Sequence, residues 1–100
     1  MSNHFSLEGK NAFVTGGSRG IGRAIAIGLA KAGADVAFTY RSQREEAENV
    51  VREIAAIGRR SIALWMDVAQ RQSVEAAARD GASALGAISI LVNNAGINKP

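Results

Sequence analysis

Four short stretches concentrate the residue types that hold an anionic ligand: residues 15–22 (Thr-Gly-Gly-Ser-Arg-Gly-Ile-Gly), 40–42 (Tyr-Arg-Ser), 67–68 (Asp-Val) and 93–96 (Asn-Asn-Ala-Gly). In the first, a short apolar run meets a glycine-rich turn that opens into an alanine-rich segment of helical spacing. Gly16 can take the geometry of a sharp turn off a strand, and Gly20 and Gly22 have no Cβ to block a ligand or the packing of helix on strand. The first-turn amides of the helix then face an anion, and the positive end of the helix dipole adds to the attraction. That chemistry suits a pyrophosphate.

The elements that must position these stretches follow from periodicity. Residues 11–15 read as a first strand. Ile21, Ile25 and Leu29 recur every four positions to Lys31, with Gly33 as the stop. Residues 35–40, rich in β-branched and aromatic side chains, form a second strand. Ser42 and Glu45 form a capping box for a second helix whose apolar face is Ala47, Val50, Val51, Ile54 and Ile57, ending at Gly58. Residues 61–66 are a third strand. A third helix over about residues 70–85 points Val74, Ala78, Ala82 and Leu85 inward, with Gly81 weakening it by about 1 kcal/mol relative to alanine. Residues 88–92 form the fourth strand.

The order βαβαβαβ with helical connections, and strands that are apolar throughout, predict an α/β fold: a Rossmann-type doubly wound parallel sheet in strand order 3-2-1-4. The first two helices cover one face and the third the other. One helix cannot cover the second face of four strands, and the fourth strand ends as an apolar edge. The expectation is that residues 1–100 are the N-terminal part of a single domain of a longer chain, incomplete on its C-terminal side. All four chemistry-bearing stretches fall at the carboxyl ends of strands, where such sheets bind ligands.

Composition narrows the function classes. The chain of 100 residues is 47% hydrophobic and 21% charged, with a net charge of +3. Basic residues are interleaved with acids, which argues against nucleic-acid binding, and Arg59 and Arg60 read as a solvated loop. The absence of cysteine excludes disulfides and thiolate metal sites, and the single histidine, His4, has no second ligand near it. No apolar stretch is long enough to span a bilayer and the start lacks a signal core, so a cytoplasmic location with no membrane partner is expected.

The glycine spacing is G-x-x-x-G-x-G, not the G-x-G-x-x-G of the usual dinucleotide fingerprint. Residues 15–22 match the Thr-Gly-x-x-x-Gly-x-Gly signature of the short-chain dehydrogenase/reductase family, and residues 93–96 match its Asn-Asn-Ala-Gly signature. Asp67 stands where the family carries an aspartate after its third strand, and the chain resembles that family from about Leu7 to Ile97. The resemblance implies that Gly16, Gly17, Ser18, Gly20 and Ile21 line the pyrophosphate and ribose of a nicotinamide dinucleotide. It implies that Asp67 accepts from the adenine amino group beside the Val68 backbone, the alternative being a cap on the following helix. Asn94, Ala95 and Gly96 would pass under the adenosine ribose, and Asn93 would tie neighbouring strands.

The end of the second strand bears on the choice of cofactor. An NAD site there carries an acid that holds the ribose hydroxyls, whereas an arginine suits a 2′-phosphate. This chain has Tyr40, Arg41 and Ser42, with Arg19 as a second cation within reach. Each arginine could make charge-assisted hydrogen bonds worth about 1.5 to 3 kcal/mol. The expected cofactor is NADP(H) in preference to NAD(H), and the expected function is hydride transfer between it and a small-molecule carbonyl or alcohol. The family's Tyr-x-x-x-Lys pair cannot be placed: four residues after Tyr40 stands Arg44. No catalytic residue is assigned within residues 1–100. The resemblance further implies a homotetramer or dimer. The alternatives are a non-catalytic nucleotide-binding or redox-sensing module, and an S-adenosylmethionine-binding fold, which would want an acid where Tyr40 and Arg41 stand.

Overall fold

The computed structural model describes residues 6–94. Its strands are β1 (Asn11–Thr15), β2 (Asp35–Tyr40), β3 (Ser61–Trp65) and β4 (Ile90–Asn93); its helices are α1 (Gly20–Lys31), α2 (Arg44–Ile57) and α3 (Arg71–Leu85). All strand pairs are parallel and the order is β3-β2-β1-β4, as the succession of elements predicts. Alternate residues of the central strands feed two cores. Ala12, Val14, Val36 and Phe38 meet Ala26 and Ala30 of α1 and Ala47, Val50 and Ile54 of α2 on one face. Phe13, Ala37 and Leu64 meet Ala77 and Leu85 of α3 on the other. Leu91, in register with Phe13 and so on the α3 face, is 70% exposed.

Two helices are turned relative to the hydrophobic pattern. In α1 the buried positions are Gly22, Ala26 and Ala30, while Ile25 and Leu29 flank the core and Ile21 is exposed. In α3 they are Ser73, Ala77, Gly81 and Leu85, one residue before the expected Val74, Ala78 and Ala82. The cause is the same in both: small residues every four positions let a helix lie close against a sheet, and closeness outweighs side-chain hydrophobicity. A Cβ on Gly81 would stand 2.9 Å from the Phe13 ring, so this glycine serves packing. In α2, Ala47, Val50 and Ile54 are buried and Val51 is half-buried, but Ile57 lies at the surface. The expected capping box is absent: the N-cap of α2 is Gln43, with no side-chain cap, and Ser42 precedes it in the turn. β4 starts two residues later than expected because residues 86–89 turn under the Asn11 amide, which donates to the Leu85 and Ala87 carbonyls at 2.9 and 3.0 Å.

At the amino ends of the strands, Arg59 and Arg60 do more than face solvent. The Arg60 backbone N–H and Nε donate to the two Asp35 carboxylate oxygens at 3.0 and 2.9 Å, and Arg59 Nη1 donates to the Gly33 carbonyl at 2.8 Å. Burial works against the Asp35 charge, but the Arg60 hydrogen bonds and the Arg60 and Arg59 charges outweigh it and hold the carboxyl below its ordinary value of 3.8. A native pKa below the unfolded one gives stability that is fully present above the unfolded value and is lost as pH falls through the native value. Urea midpoints of the wild type and Asp35→Asn are therefore expected to differ by a constant amount near neutrality and to converge below about pH 3.8. A gap that persists at the acid end would contradict this role.

Candidate functional site

The carboxyl ends of the strands enclose a cleft of about 670 Å³. The loop between β1 and α1 supplies Gly16, Ser18, Arg19, Gly20 and Ile21; the end of β2 and the turn after it supply Thr39, Tyr40, Arg41, Ser42 and Gln43; Met66, Val68 and Asn94 close the remaining sides. Sequence positions 16 to 94 thus converge on one surface because a parallel sheet brings every strand out at the same end.

The loop after β1 is built around backbone approach. Gly16 and Gly20 have φ of 71° and 63°, the left-handed region that favours glycine. The Gly16 N–H donates to Thr39 Oγ1 at 2.8 Å and the Gly17 N–H to the Thr39 carbonyl at 3.0 Å, which ties the loop to β2. Gly17 consequently faces the core and does not line the cleft: a Cβ there would lie 2.6 Å from Phe38 Cβ. Three motif positions meet at Gly22, where a Cβ would stand 1.8 Å from the Gly16 carbonyl oxygen and 2.6 Å from Asn94 Nδ2. Asn94 Nδ2 itself donates to the Gly16 carbonyl at 3.1 Å. The glycine loop, the first turn of α1 and the residue after β4 are therefore one packed unit.

α1 starts without help from its own side chains. Its N-cap, Arg19, makes no side-chain cap, and its first turn has no acidic residue. Uncapped first-turn amides carry partial positive charge toward the cleft. Arg19 and Arg41, both exposed, stand on the walls of the same cleft. Among the described residues Arg19 has no ion pair, and Arg41 has a long one, Nη1 lying 3.9 Å from Asp67 Oδ1. The arrangement can hold a polyanion, with the peptide amides at the start of α1 and two arginines lining one cleft.

The remaining expected residues divide. Ser18 is buried but lines the cleft, and Val68 is exposed to it. Asp67 lies behind the lining, with Oδ1 accepting the Ala69 N–H at 3.0 Å; it does not cap α3, whose N-cap is Gln70. Asn93 Oδ1 accepts from Thr15 Oγ1 at 3.1 Å and links β4 to β1. Ala95 and Gly96 lie outside the described residues. Sequence reasoning missed Thr39, which anchors the loop through both its hydroxyl and its carbonyl. Its signal was available: a small hydroxyl side chain directly after the apolar run of residues 36–38, one position before the strand ends. It also missed Gln43 and Met66, whose side chains carry no distinguishing pattern.

A family profile described as short chain dehydrogenase matches residues 10–100. A 3-oxoacyl-acyl-carrier-protein reductase of Staphylococcus aureus is 48% identical over 90 residues, covering 90% of this chain and 37% of the relative. An L-rhamnose 1-dehydrogenase (NAD(P)(+)) of Sphingomonas is 46% identical, covering 91% and 36%. Among solved structures, a short chain dehydrogenase of Burkholderia cenocepacia in complex with NADP superimposes with a TM-score of 0.85 at 54% identity, over 87% of this chain and 36% of that one. The chain thus spans little more than a third of the length of these relatives. With the fingerprint spacing, the strand order and the packed unit of Gly16, Gly22 and Asn94 all in agreement, this chain belongs to the short-chain dehydrogenase/reductase family of oxidoreductases.

Proposed function

We propose that this chain is the N-terminal, cofactor-binding part of an NADP(H)-dependent oxidoreductase that moves hydride between nicotinamide and a carbonyl or alcohol of a small molecule. The observation that carries the reading is the placement of Arg19 and Arg41 on the walls of a single cleft that also receives the uncapped start of α1. The donors fit a phosphorylated dinucleotide. Peptide amides and the Ser18 hydroxyl suit the pyrophosphate, and two cations with no acid at the end of β2 suit a ribose 2′-phosphate rather than a free diol. The NADP complex of the Burkholderia protein supports the same choice.

In this reading Gly16, Ser18, Gly20 and Ile21 hold the pyrophosphate and its ribose, Arg19, Arg41 and Ser42 hold the 2′-phosphate, and Tyr40 borders the adenosine. Asp67 and Val68 border the adenine, and Asn94, Ala95 and Gly96 pass beneath the ribose. Nicotinamide, when bound, supplies the hydride chemistry. The residues of this chain bind and orient it, and proton transfer to the substrate falls to residues beyond Pro100. A cytoplasmic, oligomeric enzyme is part of the proposal; among the described residues no helix is long and apolar enough to cross a membrane.

The test is oxidation of NADPH by the protein expressed from its complete reading frame, followed by loss of nicotinamide absorbance across a panel of ketones, sugars and acyl thioesters. Turnover with at least one carbonyl, faster with NADPH than NADH at equal subsaturating concentration, is expected. Tight nucleotide binding with no turnover across the panel would favour a sensing module instead.

A further inference from the structure

Trp65 closes β3, in register with Tyr40 of β2, and the residue is 45% exposed. A half-exposed tryptophan at the end of an edge strand adds little to the core. What it does make is a bond across the sheet end: Nε1–H donates to the Arg41 carbonyl at 2.9 Å. The ring does not line the cleft, but the next three residues of the turn, Arg41, Ser42 and Gln43, do.

That turn needs an external hold. α2 begins at Arg44 with no side-chain cap, so nothing at its start locks residues 41–42 in place. A second tie among the described residues is the pair of the Arg41 guanidinium with Asp67 at 3.9 Å, which engages the group that a phosphate would need. The indole bond fixes the backbone instead and leaves the guanidinium to turn toward the cleft. We propose that Trp65 is a positioning residue for cofactor discrimination, acting through Arg41; this rests on the NADP reading above. Holding a cation beforehand favours binding because less ordering remains to be done when the phosphate arrives.

The test uses the protein from its complete reading frame, with 2′,5′-ADP and 5′-AMP as probes that differ in the 2′-phosphate. Trp65→Phe keeps a ring and removes the donor. Loss of one hydrogen bond predicts about three- to tenfold weaker 2′,5′-ADP binding, with 5′-AMP binding unchanged as the internal measure of an intact fold. In an Arg41→Ala background the same substitution should add no further loss. Equal weakening of both probes, no weakening of either, or a full additional loss in the Arg41→Ala background would each overturn the proposal. If the wild type does not prefer 2′,5′-ADP, the NADP reading fails and the role of Trp65 falls with it. If that preference is lost in Arg41→Ala but kept in Trp65→Phe, only the role of Trp65 fails.

Discussion

A Gly22→Ala protein is expected to be destabilised by about 3 kcal/mol or more and to lose nucleotide binding. In an open helix this substitution stabilises by up to about 1 kcal/mol. Here the added methyl would stand 1.8 Å from the Gly16 carbonyl oxygen and 2.6 Å from Asn94 Nδ2. The first of these neighbours is backbone and cannot swing aside as a flexible side chain would. Relief requires moving the start of α1 away from the loop, which displaces the amides that face the cleft and strains the bond from Asn94 to Gly16. The cost of overpacking therefore wins over the gain in propensity. Gly28 provides the matched control: it lies in the same helix, and a Cβ there meets nothing within 4 Å. Gly28→Ala should be neutral or stabilising by up to about 1 kcal/mol. Urea denaturation of the two variants checks the pair, and similar behaviour of both would show that the contact at Gly22 is not what holds loop and helix together.

The second large effect is on affinity. Replacing Arg19 and Arg41 together by alanine should weaken NADP binding by about a hundredfold and leave NAD binding within a factor of about three. A charge-assisted hydrogen bond spans roughly ten- to a hundredfold in affinity, and the lower figure applies because both side chains are exposed and screened by salt. Each single substitution should therefore cost about tenfold, more at low ionic strength than at high. Calorimetric titration at two salt concentrations measures both effects. A loss shared equally by NADP and NAD would place the two arginines in folding or in pyrophosphate contact, not at the 2′-phosphate.

The sheet was legible in the sequence because its strands are short apolar runs ended by glycine or polar turns, and because 3-2-1-4 is the natural strand order for right-handed crossovers of this kind. The faces of the helices were less so. Hydrophobicity singles out Ile21 and Val74, yet α1 and α3 lie on the sheet through Gly22, Ala26 and Ala30 and through Ser73, Ala77 and Gly81. Small side chains carry little hydrophobic signal, and their value appears only when a partner surface is close. Ser73 shows the same limit: its buried hydroxyl accepts the Asp67 N–H at 2.9 Å, a tie across six residues that no local pattern announces.

The site divides in a similar way. Its glycines and arginines stood out by type and spacing. Thr39 and Trp65 did not, because each works through a bond to residues 23 or 24 positions away that the sheet alone brings near. The reading of Ser42 as a helix cap also failed for a tertiary reason. The Arg41 carbonyl in the turn after β2 accepts the Trp65 Nε1–H from the end of β3, and α2 takes Gln43, not Ser42, as its N-cap. The sequence motif S-x-x-E was present without the local geometry that would make it a cap.

The central claim is that the carboxyl end of this sheet selects a 2′-phosphorylated dinucleotide. It is tested most directly by the ratio of the NADP and NAD dissociation constants, measured calorimetrically on the protein from its complete reading frame. The account predicts that NADP binds at least about tenfold more tightly than NAD at low salt, with the ratio shrinking as salt rises. Equal affinities, or tighter binding of NAD, would contradict it.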